Sequence, residues 1–268
     1  MRYEIAYQPS YSLAIIDLEP GEEIRCESGA TVSMTADLVL EAKMNTGGEK
    51  KGLLGGLLGA AKRTVLGGES FFITSIRAQH APGEATLAPS VPGDIAVVEL
   101  ASQALMVQGG SYLASGPGVN VDTNIDFGKM FKNIVGGESL FFLKVSGRGV
   151  AFLTSFGAVH KKQLKPGERY TVDSGHIVAY EEGMQMDVGL AAEQGGFLKR
   201  SINSATTGEG FVMKFTGPGT VWMQTRNPDA FSSWLMKLLP IQQPSAAASG
   251  GAGGVLGAVG GLLGGGDD

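Results

Sequence analysis

The sequence predicts an all-β protein whose single domain contains three similar units. The phrase LGGESFF at residues 66–72 returns as VGGESLFF at 135–142 and, more loosely, as TGEGFVMKF at 207–215. Each copy leads into an apolar run, a glycine turn and a second apolar run, which is typical of a β-hairpin. No helical stripe of useful length interrupts residues 1–226 outside one insertion. Self-similarity at a fixed period indicates pseudo-symmetric units that share one core.

A second repeated phrase precedes each hairpin. It reads PGEEIRCESGATVSM in the first unit, ALMVQGGSYLAS in the second and PGERYTVDSGHIVAY in the third. Alternating polar and apolar positions, rich in β-branched and aromatic residues, predict a strand, a turn and a strand. Gly29, Gly110 and Gly175 mark the same turn in the three units. Together with the hairpins, this pattern predicts roughly four strands in each unit.

The units are assigned to about residues 18–100, 101–163 and 164–226. The stretch NPDAFSSWLMKLLP that follows predicts one short helix over 228–239, because Asn227 can cap its first turn and proline suits the first helical position. The β domain with this helix is therefore predicted to occupy residues 1–240.

Residues 241–268 begin with IQQPSAAASG and continue with glycine and leucine, which predicts a flexible tail.

Two segments combine glycine with exposed leucine. One is the insertion EKKGLLGGLLGAAKR at 49–63, and the other is the end of the tail, GGAGGVLGAVGGLLGGGDD at 250–268. A short apolar face between basic ends is typical of a helix that lies in a membrane interface, although glycine weakens a helix. The alternatives are self-association, docking to another protein and glycine-rich chain without a fixed structure. The interaction candidates are Leu53, Leu54, Leu57, Leu58, Leu256, Leu262 and Leu263.

Composition limits the compartment and the partners. The formal net charge is −5, which disfavours the broad basic surface that nucleic-acid binding requires. A single cysteine suits a reducing compartment, and the first residues lack the features of a signal peptide. No apolar run reaches the roughly 20 residues of a membrane-spanning helix. These features predict a cytoplasmic protein, with the membrane surface as the alternative.

The sequence contains no recognisable catalytic constellation, so it predicts no enzyme and no cofactor. His80, His160 and His176 share no metal-ligand spacing. Cys26 falls within a predicted strand, where a buried and unreactive thiol is expected. Neither a phosphate-binding glycine loop nor a nucleophile elbow occurs.

One weak metal candidate follows from the repeat itself. Glu69, Glu138 and Glu209 hold nearly the same place in the three units. If these carboxylates converge on the pseudo-threefold axis, they could bind a hard cation. The alternative is that they are solvated and far apart, because a repeat supplies equivalent spacing without any site.

The motifs together resemble one known family. PGEEIRCESGATVSM near the start, the GLLGG insertion, GGESFF after it and the second GGESLFF are similar to the altered-inheritance-of-mitochondria 24 family, formerly a domain of unknown function. The resemblance covers about residues 1–240, and only the third copy, TGEGFVMKF, departs from the pattern. It implies a fold similar to the tryptophan RNA-binding attenuation protein, with a barrel- or prism-like body related to the double-stranded β-helix. It implies no catalytic residues.

Three functions remain open from the sequence. The first is a non-enzymatic scaffold or interaction protein, expected to be a homo-oligomer because unpaired β edges are often covered by assembly. It would contact a membrane surface or a protein partner through 49–63 and 250–268. The second is a small-molecule or metal-binding barrel, and the third is RNA binding, which the acidic balance disfavours.

Overall fold

The computed structural model describes residues 1–43, 73–122, 141–190 and 211–239. These residues form 19 strands and one short α-helix, so the prediction of an all-β protein is confirmed. The strands are β1 Arg2–Ala6, β2 Leu13–Leu18, β3 Glu23–Glu27, β4 Thr31–Met34, β5 Leu38–Lys43, β6 Ile73–Ala78, β7 Gly83–Leu87, β8 Ile95–Leu100, β9 Leu105–Gln108, β10 Tyr112–Ser115, β11 Val119–Asp122, β12 Phe142–Gly147, β13 Gly149–Thr154, β14 Val159–Leu164, β15 Arg169–Asp173, β16 Ile177–Glu181, β17 Gln185–Leu190, β18 Phe211–Thr216 and β19 Gly219–Gln224.

The pairing of the strands repeats three times along the chain. In the first set β2 and β4 both pair with β7, while β3 and β5 both pair with β6. The set β8–β13 and the set β14–β19 use the same four pairings. Each repeat therefore contains six strands, and the prediction of four is wrong. The omitted strands are the first and the fourth of each set.

The repeats are joined by two junctions, at which a strand of one repeat pairs with a strand of the next. Strand β3 pairs with β10, and β9 pairs with β16. Each junction creates a six-stranded sheet, and the ends of the array remain as smaller sheets. The four sheets have the orders β1-β2-β7-β4, β5-β6-β3-β10-β13-β8, β11-β12-β9-β16-β19-β14 and β15-β18-β17. We call them sheets 1 to 4 in that order.

Three apolar cores lie between successive sheets. Core 1 joins sheets 1 and 2, core 2 joins sheets 2 and 3, and core 3 joins sheets 3 and 4. Sheets 2 and 3 are therefore covered on both faces. In β13, for example, Phe152 faces core 1 while Ala151 and Leu153 face core 2. A strand buried on both faces reads as a continuous apolar run, as GVAFLT does.

The chain divides into two compact units, Met1–Pro228 and Asp229–Asp268. Helix α1 spans Pro228–Leu238, with Asp229 in its first turn and Lys237 in its last turn. Both charges are favourable for the helix dipole. Within α1 the rings of Phe231 and Trp234 lie 5.8 Å apart between centroids. In the described part of the chain, no helix is both long and apolar enough to cross a bilayer.

Candidate functional site

The site residues proposed from the sequence lie outside the described residues. This holds for the carboxylates Glu69, Glu138 and Glu209, and for the leucines of 49–63 and 250–268. The three carboxylates belong to connections between strands that pair with each other, namely β5 with β6, β11 with β12 and β17 with β18. They therefore occur at the same step of each repeat, and their cation site stays a prediction.

The three histidines lie at separate places in the described strands and turns. Among the described residues, no group of three or more His, Cys, Asp or Glu side chains could hold a metal ion. Nδ1 of His176 lies 2.8 Å from the backbone oxygen of Gln224, so this ring supports the end of β19. His80 and His160 lie after β6 and in β14, far apart in the repeat pattern.

Cys26 is buried and forms no disulfide. Burial raises the pKa of its thiol from the usual 9.0 to about 11, although the contact with the Thr31 hydroxyl, 3.9 Å away, acts in the opposite direction. A nucleophilic cysteine requires the thiolate, which a raised pKa disfavours. Cys26 is therefore a residue of core 1 and has no accessible chemistry.

A charged cleft of about 590 Å³ opens beside the first repeat. Its lining includes Glu22, Glu23, Arg77 and His80. Glu23 is buried, accepts hydrogen bonds from Arg25 Nε at 2.9 Å and Ser75 Oγ at 3.0 Å, and pairs with Arg77. The acidic and basic groups compensate each other here, so the cleft is a candidate for a small polar molecule.

Glu22, at the rim of the cleft, pairs with the N-terminal ammonium of Met1. This hydrogen bond, followed by one from the backbone of Glu19, lowers the pKa of the Glu22 carboxyl. Because the carboxylate is already bonded, it is not a free general base.

Two basic residues near hairpin turns, Arg77 and Lys144, are partly neutralised. Arg77 pairs with Glu23, and Lys144 pairs with Glu182. On β14, Lys161 lies over the Trp222 ring at 5.4 Å from its centroid, and Lys162 lies over Tyr170 at 5.7 Å. These aromatic faces are covered by lysine, whereas a nucleic-acid surface needs open faces on which bases stack.

The most distinctive surface of the described residues consists of two strand edges at opposite ends of the array, β4 and β15, which we call the terminal edges. Each has a hydrogen-bonded strand on one side only. The counterparts of β4 in the other repeats are β10 and β16, and those of β15 are β3 and β9. All four are paired on both sides. Val32 and Met34 of β4 are 61% and 40% exposed, and Thr171 of β15 is also exposed. Such an edge offers unpaired backbone donors and acceptors to another chain.

The sequence does contain a signal for the β4 edge. Thr31 and Ser33 are polar, whereas the residues at the same positions of β16 are Ile177 and Ala179. Polar residues at positions that are apolar in another repeat indicate that the strand is exposed to solvent in the repeat with the polar residues and buried in the other. The sequence aligns the copies without showing which strands meet, so this signal becomes interpretable only with the strand pairing.

Comparison with known proteins identifies the family. Residues 3–226 match the sequence profile of the family described as "Mitochondrial biogenesis AIM24". The chain belongs to this family. It is 32% identical, over 241 residues, to an uncharacterized protein of Streptococcus pyogenes serotype M6, an alignment that covers 90% of this chain and 92% of the relative.

A solved structure supports the same assignment. The X-ray structure of a Streptococcus pyogenes protein, from the Northeast Structural Genomics Consortium, matches with a TM-score of 0.68 and 31% identity. The match covers 89% of this chain and 99% of that protein. The family resemblance inferred from the sequence is therefore confirmed. The descriptions of these two relatives state no activity.

Proposed function

We propose that this AIM24 protein is a non-enzymatic scaffold or interaction protein that acts as an oligomer. The observation that carries the proposal is the pair of terminal edges, β4 and β15, which remain unpaired at the two ends of the array. Natural β proteins usually cover or blunt such edges, and assembly is one way to cover them. The described residues offer no metal cluster and no reactive thiol that would favour an enzyme instead.

The first test is the mass of the full chain by light scattering, across a range of protein concentrations. We expect a mass that is a multiple of the 27.8 kDa chain. A mass equal to one chain at every concentration would contradict the oligomer.

Membrane contact through 49–63 and 250–268 is the finer part of the proposal. It is tested by co-sedimentation with anionic and with neutral liposomes. Replacing Leu53, Leu54, Leu57 and Leu58 by serine should abolish sedimentation, since buried apolar area drives interfacial binding. The matched variant, in which the flanking Lys50, Lys51, Lys62 and Arg63 become glutamine, should lose only the preference for anionic vesicles. Unchanged sedimentation of the serine variant would contradict the role of these leucines.

A second candidate function is the binding of a small polar molecule, which the charged cleft favours. Arg77→Gln would weaken a ligand bound there while leaving the assembly intact. Metal analysis of the purified protein and a ligand screen on the Arg77→Gln and unaltered chains test this candidate. If the purified protein contains no stoichiometric metal and the screen finds no ligand whose binding depends on Arg77, this candidate is removed.

A further inference from the structure

The two junctions between repeats follow one pairing rule. At the first junction Ala114 and Ser115 of β10 lie opposite Cys26 and Arg25 of β3. At the second junction Ala179 and Tyr180 of β16 lie opposite Val107 and Met106 of β9. The third strand pair of this kind would join β4 to β15, and it does not occur within the described chain. The rule therefore leaves one strand without its partner at each end.

Positions in the terminal edges can be matched to the junctions through the strands they already pair with. Ser33 of β4 lies opposite Thr86 of β7, as Ala114 of β10 lies opposite Phe152 of β13. Met34 of β4 lies opposite Ala85, as Ser115 of β10 lies opposite Ala151. Ser33 and Met34 are therefore the equivalents of Ala114 and Ser115. In β15, Val172 and Thr171 hold the places of Cys26 and Arg25, because PGERYTVDSG aligns with PGEEIRCESG.

We propose that β4 of one copy of this chain pairs with β15 of the next copy, antiparallel, with Ser33 opposite Val172 and Met34 opposite Thr171. The inference rests on the proposed function, since it assigns the surface through which the oligomer forms. The resulting sheet has the order β17-β18-β15-β4-β7-β2-β1, which continues the order seen in sheets 2 and 3. The contact uses different surfaces on the two copies, so it yields a ring or an open filament according to the rotation between copies.

Strand β4 carries no device that would prevent this pairing. It contains neither lysine nor proline, the residues that commonly blunt an edge. It has an irregularity in register between Thr31 and Ser33, but β10 and β16 have the same irregularity and still pair on both sides. The irregularity therefore belongs to the repeat and does not protect the edge.

Strands β5, β11 and β17 are sheet edges of a different kind. They lie at an edge in all three repeats, so edge exposure is part of the repeat itself. Among the described strands, β4 and β15 are the ones that lie at an edge in one repeat while both of their counterparts are paired on both sides. Leu40 of β5, which is 48% exposed, consequently supplies a matched control position for β4.

The terminal contact should be weaker than the internal junctions. Thr86 takes the place that Phe152 holds in the second repeat and Trp222 in the third. Its hydroxyl lies 2.6 Å from that of Ser33, so the outer face of sheet 1 is more polar there. A more polar contact suits an association that folded chains make and release.

Disulfide trapping tests the register directly. Directly opposite residues on antiparallel strands have Cα atoms about 4.5–5.5 Å apart, within the range of a disulfide. The chain carrying both Met34→Cys and Thr171→Cys should form a ladder of covalent multimers under mild oxidation. Neither single variant should form the ladder, and the control pair of Met34→Cys with Arg169→Cys, two residues out of register, should react at least about tenfold more slowly. Native Cys26 is buried and common to all variants.

A mixing experiment covers the case in which cysteine perturbs folding. Val32→Lys with Met34→Lys blocks β4, and Thr171→Pro, or the milder Thr171→Lys, blocks β15. Each blocked chain alone should be a monomer, whereas their mixture should form a complex of two chains through the intact β4 and the intact β15. Leu40→Lys should leave the oligomer unchanged.

Three results would overturn the inference. The first is equal trapping of the in-register and control pairs, and the second is an oligomer that persists when only β15 is blocked. The third is dissociation of the oligomer caused by Leu40→Lys. If any of these results is found while light scattering of the unaltered chain still shows an oligomer, the proposed function stands and only this interface is wrong. If the unaltered chain is a monomer at every concentration, both proposals fail.

Discussion

Strands β10 and β4 hold the same position in the second and first repeats, but their surroundings differ. All four residues of β10 are buried, because β13 lies on one side and β3 on the other. In β4 only Thr31 is half-buried, and the three residues after it are exposed. The same contrast separates β9, which is almost entirely buried, from β15. At these two strand positions, burial thus depends on whether a neighbouring repeat supplies a second partner.

The contrast extends to the side chains that lie opposite β10 and β4 on the neighbouring strand. At the internal junction Phe152 packs in core 1, and at the end of the array Thr86 occupies the equivalent place. The internal junction therefore contributes apolar burial to folding, while the terminal edge retains backbone groups for another chain.

The largest effect concerns the two equivalent residues Phe152 and Thr86. Phe152→Ala should lower the free energy of unfolding by about 3–5 kcal/mol, because it opens a cavity at a fully buried ring. Thr86→Ala should cost only about 1 kcal/mol, mainly through its hydrogen bond with Ser33. Urea denaturation of both variants as dilute monomers measures the difference. Similar losses for the two would contradict the contrast between junction and edge.

A smaller effect concerns pH at the first junction. The pKa of Cys26 is raised by burial to about 11, so its neutral form is favoured in the folded protein. Stability from this group is fully present below its unfolded pKa of about 9 and is lost as pH rises toward 11. A rise from 9.0 to about 11 corresponds to roughly 3 kcal/mol.

Cys26→Val is the matched control, since Val172 and Val107 hold the same position in the other repeats. In this variant the free energy of unfolding should fall less between pH 9 and pH 11 than it does in the unaltered chain. These limits are approximately the pKa of the thiol in the unfolded and in the folded protein. Thermal unfolding across this range measures the effect. An identical alkaline loss in the variant would assign it to other groups, such as the buried Tyr112, whose pKa is raised by burial.

The smallest effect concerns the ends of two equivalent strands. Gln224 at the end of β19 accepts from the Phe156 N–H at 2.8 Å and donates to the Gly175 oxygen at 2.9 Å. Thr154 at the end of β13 is buried, and its hydroxyl has no hydrogen-bond partner among the described residues. Thr154→Val should therefore raise the unfolding free energy by up to about 1 kcal/mol. A clear loss of stability would mean that the hydroxyl is bonded, for instance to water.

Turn chemistry made part of this fold predictable from the sequence. Gly147, Gly149 and Gly219 have φ values of 108°, 131° and 145°, so the glycine turns of two hairpins are where the pattern indicates them. Helix α1 also spans nearly the predicted residues, because its cap, proline and apolar spacing are local signals. Such features depend on neighbouring residues and not on distant pairing.

The first and fourth strands of each repeat, which the sequence pattern does not reveal, are sheet edges in most repeats. In β14 the run VHKKQL leaves His160 and Lys161 exposed, and in β5 Leu40 is exposed, so neither has the apolar character that reveals a covered strand. The candidate interface was missed for a related reason. A sequence repeat shows that β4 resembles β10, but the unpaired state of β4 becomes evident only when the partner of β10 is known to be β3.

Concentration-dependent amide hydrogen exchange shows whether β4 and β15 are the two halves of a junction completed between chains. We expect amides of β4 and β15 to exchange more slowly in concentrated than in dilute protein, while those of β5, β11 and β17 remain unchanged. Exchange in β4 and β15 that is independent of concentration, in a protein that nevertheless oligomerises, would contradict the pairing of β4 with β15 between chains.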